Sequence, residues 1–165
     1  MTDYISEERL KLVIPELAAN IELLDTEMVK QGILIRVVQG LRSWEAQEAL
    51  YAQGRTEPGK IVTDAPPLHS MHEFGLAVDC MPSLNPIGEP YNPDGVGGSP
   101  RYLAMVAAAE GLRLVSGSTW TSIKDWPHLQ TAGVPASPTN QMRADFSSGG
   151  LSLIWSNVLK GAYSS

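Results

Sequence analysis

Two residues of types that can bind a metal, His72 and Asp79, lie in the stretch Ser70-Met-His-Glu-Phe-Gly-Leu-Ala-Val-Asp79, and a second histidine closes Asp125-Trp-Pro-His128 far downstream. Neutral imidazole nitrogen and carboxylate oxygen are donors that a borderline Lewis acid such as Zn²⁺ accepts. Two histidines and one carboxylate leave the fourth tetrahedral position open for water, which separates a catalytic zinc from a structural one. Asp125, just upstream of His128, is placed to take a proton from the activated water and pass it to the leaving amine. Arg42 offers a cation that could bind a substrate carboxylate bidentately or stabilise a developing oxyanion.

These side chains need particular elements behind them. Alternation along Leu76-Ala77-Val78-Asp79 puts Ala77 and Asp79 on one face of a strand and Leu76 and Val78 on the other, towards the core. Gly75 lets the chain bend back so that His72 comes alongside Asp79, and the small Ala77 keeps the space beneath the metal clear. His128 is expected on a neighbouring strand. Ile33 to Val38 is a β-branched run, and Ser43 then caps a helix that ends before Gly54, which puts Arg42 at a strand-to-helix turn.

Upstream, Leu10, Val13, Ile14, Leu17, Ile21, Leu24 and Met28 recur at helical spacing, interrupted by Pro15 and followed by Gly32, so one or two helices form a scaffold. Residues 55–68 and 82–100 are rich in Pro and Gly and read as loops flanking the motif strand. A helix over 101–110 leads to a short strand near 112–115. A final amphipathic helix spans about Leu151 to Leu159, with Leu151, Ile154, Trp155, Val158 and Leu159 on one face. The domain thus reads as residues 1–134, with 135–165 an extension packed on it.

Among the neighbours of the motif, Cys80 should point to the core, His69 should diverge from His72 and not bind metal, and Glu73 reads as a solvated loop residue. Ser70 is assigned either a hydrogen bond near the site or a capping role. Trp44 and Trp120 read as packing or groove residues, and Trp126 as the tryptophan that touches substrate.

Composition narrows the partners. The 165 residues carry 43% hydrophobic and 18% charged residues, enough for one domain with its own core. A net charge of −6 with scattered Lys and Arg argues against nucleic acid. A single cysteine excludes an internal disulfide and a Cys-rich metal site. Neither a secretory signal near the first residues nor an apolar run long enough to span a bilayer is visible, so synthesis in the cytoplasm, no stable membrane insertion and action after release are expected.

Ser-x-His-x-x-Gly-x-Ala-x-Asp followed by Asp-x-x-His, with Gln39-Gly40-Leu41-Arg42-Ser43, Gln47, Leu50, Tyr51 and Gln53-Gly54-Arg55 upstream, resembles the zinc peptidoglycan peptidases. These include VanY-like D-Ala-D-Ala carboxypeptidases and L-alanyl-D-glutamate endopeptidases of phage endolysins. The resemblance covers roughly Val37 to Gln130. It implies one zinc per chain on His72, Asp79 and His128, Asp125 as base, Arg42 as a substrate and transition-state residue, and peptidoglycan as partner of a monomer. The implied fold is α+β and hedgehog/D-Ala-D-Ala-peptidase-like, a small, mostly antiparallel sheet with helices packed on one side. The expected activity is L-alanyl-D-glutamate hydrolysis by a phage or prophage endolysin. The alternatives are a D-Ala-D-Ala carboxypeptidase or dipeptidase, and a wall-binding protein that keeps the fold without turnover.

Overall fold

Helical spacing of apolar residues is realised in a computed structural model that describes residues 3–164; Met1 and Thr2, where the reading for a signal begins, and Ser165 lie outside it. Helix α1 spans Tyr4–Leu10 and α2 spans Pro15–Lys30. Pro15 opens α2 at a position where its missing N–H needs no partner, which explains why it divides the two helices. Leu17, Ile21, Leu24 and Met28 are fully buried, each burial contributing roughly 1.5–3 kcal/mol.

Among the described residues the remaining elements are strand β1 (Ile33–Gln39), helix α3 (Trp44–Ala52), strand β2 (Ala77–Pro86), helix α4 (Pro100–Glu110), strands β3 (Leu114–Ser116) and β4 (His128–Thr131), and helix α5 (Asn140–Leu159). Three of the helices start on the expected chemistry: the hydroxyls of Ser43, Ser99 and Thr139 accept the N–H groups of Ala46, Tyr102 and Met142. The strands form one antiparallel sheet in the order β1-β2-β4-β3, and α2 and α4 pack on each other and on that sheet. The fold is α+β, as the sequence predicts.

Both sheet edges are protected. Along β1, Ser6 Oγ accepts the Val37 N–H at 2.9 Å and Arg9 Nη1 donates to Val37 O at 2.5 Å, so α1 stands where a further strand would pair. At the other edge β3 is only three residues long.

Two segments differ from the sequence reading. Strand β2 continues through Pro82, which reads as the start of a loop. Beyond Asp79 the strand leaves β4 and meets only a short bridge from residues 92–94 on that side, where the Pro82 carbonyl accepts the Asp94 N–H at 2.8 Å and no N–H of residue 82 is called for. Helix α5 begins at Asn140, well before Leu151, and is kinked at Gly150 (φ 61°, ψ −157°). Its Met142 and Ile154 are buried, and Phe146, Trp155 and Val158 pack against the core, whereas Leu159 remains exposed. Among the described residues no helix is long and apolar enough to cross a membrane.

Candidate active site

Strand register brings two of the expected ligands together. Asp79 on β2 lies directly opposite His128 on β4, so their side chains leave the same face of the sheet. His72 sits on a 3-10 turn over Met71–Phe74 that ends at Gly75 in the left-handed region (φ 64°). A side chain at Gly75 would also crowd the Trp155 ring at 3.0 Å, which adds to the case for glycine there. The turn returns His72 to Asp79, with His72 Nε2 at 3.2 Å and His128 Nδ1 at 3.7 Å from Asp79 Oδ1, and 3.2 Å between the two nitrogens.

The protons on these groups can be placed by what surrounds them. His72 Nδ1 lies 3.0 Å from the Gly40 carbonyl, which only accepts, so that nitrogen carries the hydrogen and Nε2 carries a lone pair. His128 Nε2 donates to Gln130 Oε1 at 3.1 Å, leaving the lone pair on Nδ1. Asp79 Oδ1 is buried with no hydrogen-bond partner. Three electron-pair donors therefore face one another with no proton among them, an arrangement that a cation stabilises. Their separations match the edges of a tetrahedron with arms of about 2.0–2.1 Å, roughly 3.3 Å, so the donor set fits a small metal ion. His72, Asp79 and His128 are the one such group among the described residues.

Electrostatics agree. Burial and the neighbouring His72 push the His128 imidazole down to about 4, which keeps it neutral. Burial works to raise the Asp79 carboxyl, but positive charge around it, that of Arg42 included, holds it below its usual value. Burial, helped by the Asp79 charge, pushes the Asp125 carboxyl up to about 6, within the range useful to a proton carrier near neutral pH. Asp125 Oδ2 stands 4.0 Å from His128 Nδ1.

A cleft of about 720 Å³ opens over this floor, lined among others by Arg42, Ser70, Thr119, Trp120, Ile123 and Asp125. Arg42 lies in the turn between β1 and α3, its N–H bonded to the His72 carbonyl at 3.1 Å. Its guanidinium donates from Nη1 to Gln47 Oε1 at 2.8 Å and from Nη2 to Asp79 Oδ2 at 3.4 Å, while the buried Nε has no partner. The fully buried Gln47 in turn donates to Ala65 O at 2.7 Å, tying the cleft wall to Arg42. Asp125 hangs from a loop closed by its own N–H to Gly117 O at 3.1 Å; a side chain at Gly117 would meet Asp125 O at 2.7 Å.

Ser70 and Trp120 reach the cleft, and the Trp120 ring packs on His128 with centroids 4.6 Å apart. Trp126 does not line it. Its ring packs against Gly97 and Gly98 and stands edge-on to Tyr102. Glu73 is buried rather than solvated, because its carboxylate accepts the N–H groups of Leu68 and Ser70 and so holds the rim of the cleft. His69 lines the rim, its Nδ1 2.9 Å from Pro67 O, and lies outside the ligand group, as expected. Gln47, Glu73, Gly117 and Gln130 are the contributors that the sequence reading leaves without a role. The small Ala77, opposite Gln130 in the sheet, is the one signal that pointed to a tight fit there.

Comparison with known proteins follows the same residues. Residues 11–89 match the VanY family, described as D-alanyl-D-alanine carboxypeptidase, and residues 63–131 match a second peptidase family of the same description, across His72, Asp79, Asp125 and His128. The peptidoglycan L-alanyl-D-glutamate endopeptidase CwlK of Bacillus subtilis is 33% identical over 119 residues, 70% of this chain and 71% of that protein. The L-Ala D-Glu endopeptidase ChiX of Serratia marcescens superposes with a TM-score of 0.58 at 25% identity, covering 78% of this chain and 87% of ChiX. The L,D-carboxypeptidase DacB from Streptococcus pneumonia shares the fold at a TM-score of 0.51 and 21% identity, over 83% of this chain and 72% of DacB. By the order of its motifs and the length of chain these relatives share with it, the chain belongs to the VanY-like family of peptidoglycan peptidases.

Proposed function

We propose that the protein is a zinc-dependent endopeptidase that hydrolyses the L-alanyl-D-glutamate bond of the peptidoglycan stem, with His72, Asp79 and His128 holding one zinc ion per chain. The observation that carries this reading is the convergence of three proton-free donors beside Asp125 in an open cleft. When bound, zinc supplies a Lewis acid that acidifies water and polarises a carbonyl. Asp125 takes the proton from the attacking water and delivers it to the amide nitrogen as the C–N bond breaks. Arg42, on the cleft wall, sets its guanidinium charge beside the substrate oxygen that gains charge, and Ser70 contributes a polar contact at the rim. Trp126, next to Asp125 in the chain and packed on Gly97 and Gly98, serves to anchor the base segment.

The bond is proposed from CwlK and ChiX, whose names state it. A second reading, D-Ala-D-Ala carboxypeptidase or dipeptidase, is favoured by the family descriptions. A carboxypeptidase needs a cation free to grip the terminal carboxylate, and both Nη atoms of Arg42 are already committed to Gln47 and Asp79. A wall-binding protein without turnover has no use for Asp125. The proposal extends to a monomer made in a host cytoplasm and acting on the wall after release, as a phage or prophage endolysin does, with residues 1–134 as peptidase domain and 135–165 as its packed extension. Mass spectrometry of digested peptidoglycan tests the bond: a new amino terminus on D-Glu is expected, and released D-Ala would favour the carboxypeptidase.

A further inference from the structure

We propose that Gln130 is a positioning residue that selects which nitrogen His128 offers to the metal, and that the C-terminal extension, through the carbonyl of Pro135, fixes Gln130 in turn. The consequence for metal binding rests on the zinc reading above; the hydrogen-bond logic does not.

An imidazole offers a lone pair on one nitrogen only when the other carries the proton, so the partner of the distal nitrogen decides what faces the metal. For His72 that partner is a backbone carbonyl, Gly40 O, which cannot reverse its role. For His128 it is a side-chain amide, which can present either its oxygen or its NH₂. With the NH₂ turned to His128, the ring would hold its lone pair on Nε2 and its proton on Nδ1, aimed at His72 and Asp79 where a cation belongs. Pro135 O removes that choice. It lies 3.3 Å from Gln130 Nε2 and can only accept, so the NH₂ must face it and Oε1 must face His128.

Gln130 as a whole is 2% exposed, so its amide depends on these two partners. Space for it comes from Ala77, directly opposite Gln130 in the sheet and on the same face. Ala136 and Ser137, the residues after Pro135, line the cleft. The start of the extension is therefore both cleft wall and outer support of a ligand, a different role from a surface appendage.

The test uses the full chain, with Zn²⁺ itself as probe in competition with a chelator, and imidazole ¹⁵N shifts of the metal-free protein. Wild type should show a single Nε2–H tautomer at His128. Gln130→Leu should mix the tautomers and weaken zinc binding about 10- to 100-fold. Gln130→Glu keeps the acceptor but loses the donor to Pro135 O; it should hold the tautomer and hold zinc affinity to within about threefold, while the amides of Ala136 and Ser137 exchange faster. A merely structural role would lower the melting temperature of both variants without separating their zinc affinities. Zinc affinity unchanged in Gln130→Leu, or an Nδ1–H tautomer in the wild type, would overturn the proposal. Should Gln130→Leu fail to fold, the wild-type tautomer and the Gln130→Glu exchange pattern decide. A wild type that shows the Nε2–H tautomer yet binds no zinc would sink the zinc reading and support this one.

Discussion

The side chains of His72, Asp79 and His128 are 3%, 18% and 5% exposed, whereas that of Asp125, only 4.0 Å from His128, is 40% exposed. The first three stand on strand register and a tight turn, and each histidine has its outer nitrogen tied down. Asp125 hangs from a loop closed mainly by backbone bonds to Gly117. The contrast matches the tasks proposed for the two regions. A metal site gains affinity from donors held in place before the ion arrives, while a proton carrier has to meet water, substrate and leaving group in succession. Binding and chemistry should therefore separate by region.

The largest effect is expected on the floor. His72→Ala should abolish both zinc content and wall hydrolysis, measured by metal analysis and by turbidity of permeabilised cells. Full zinc content in that variant would break the comparison at its root. On the loop, Gly117→Ala should lower kcat about 100-fold by displacing Asp125, with a far smaller change in zinc affinity. Equal losses in both would mean that floor and loop are not independent. Between the two regions, Gln47→Leu removes the acceptor for Arg42 Nη1 and should reduce kcat/KM about tenfold with zinc content intact.

The pH dependence sharpens the same division. Asp125 works as a base only when ionised, and burial and Asp79 raise its carboxyl to about 6 in the metal-free protein. Activity is thus present above that value and lost as pH falls through it; a nearby dication lowers the midpoint, so the acid limb of kcat/KM should lie at or below about pH 6. An acid limb above 7 at constant zinc content would contradict Asp125 as its source. The smallest effect is expected behind the loop. Trp126→Phe should cost about 1–3 kcal/mol of stability and leave KM unchanged, since the ring packs on Gly97 and Gly98.

How far the sequence could be read differs along the same line. His72, Asp79, Asp125 and His128 are legible because few residue types bind metal or move protons, and their local spacing survives folding. Gln130 and the Gly40 carbonyl are not, because their roles arise only when β4 pairs with β2 and when the chain leaving β1 passes His72. Glu73 misleads by its charge: two backbone N–H groups make burial acceptable. The early start of α5 is hidden by Ser147-Ser148-Gly149-Gly150, a run that reads as loop, although Met142 and Phe146 stand one helical turn apart. The antiparallel sheet is what the family resemblance implies, yet nothing local announces that β2 runs on through Pro82.

The most direct test of the central claim is zinc content and wall hydrolysis measured together on Asp125→Ala. Zinc should stay near one per chain while hydrolysis falls about 10²- to 10⁴-fold. Loss of zinc in parallel with activity, or hydrolysis near the wild-type rate, would contradict the assignment of Asp125 as the base over a separate metal floor.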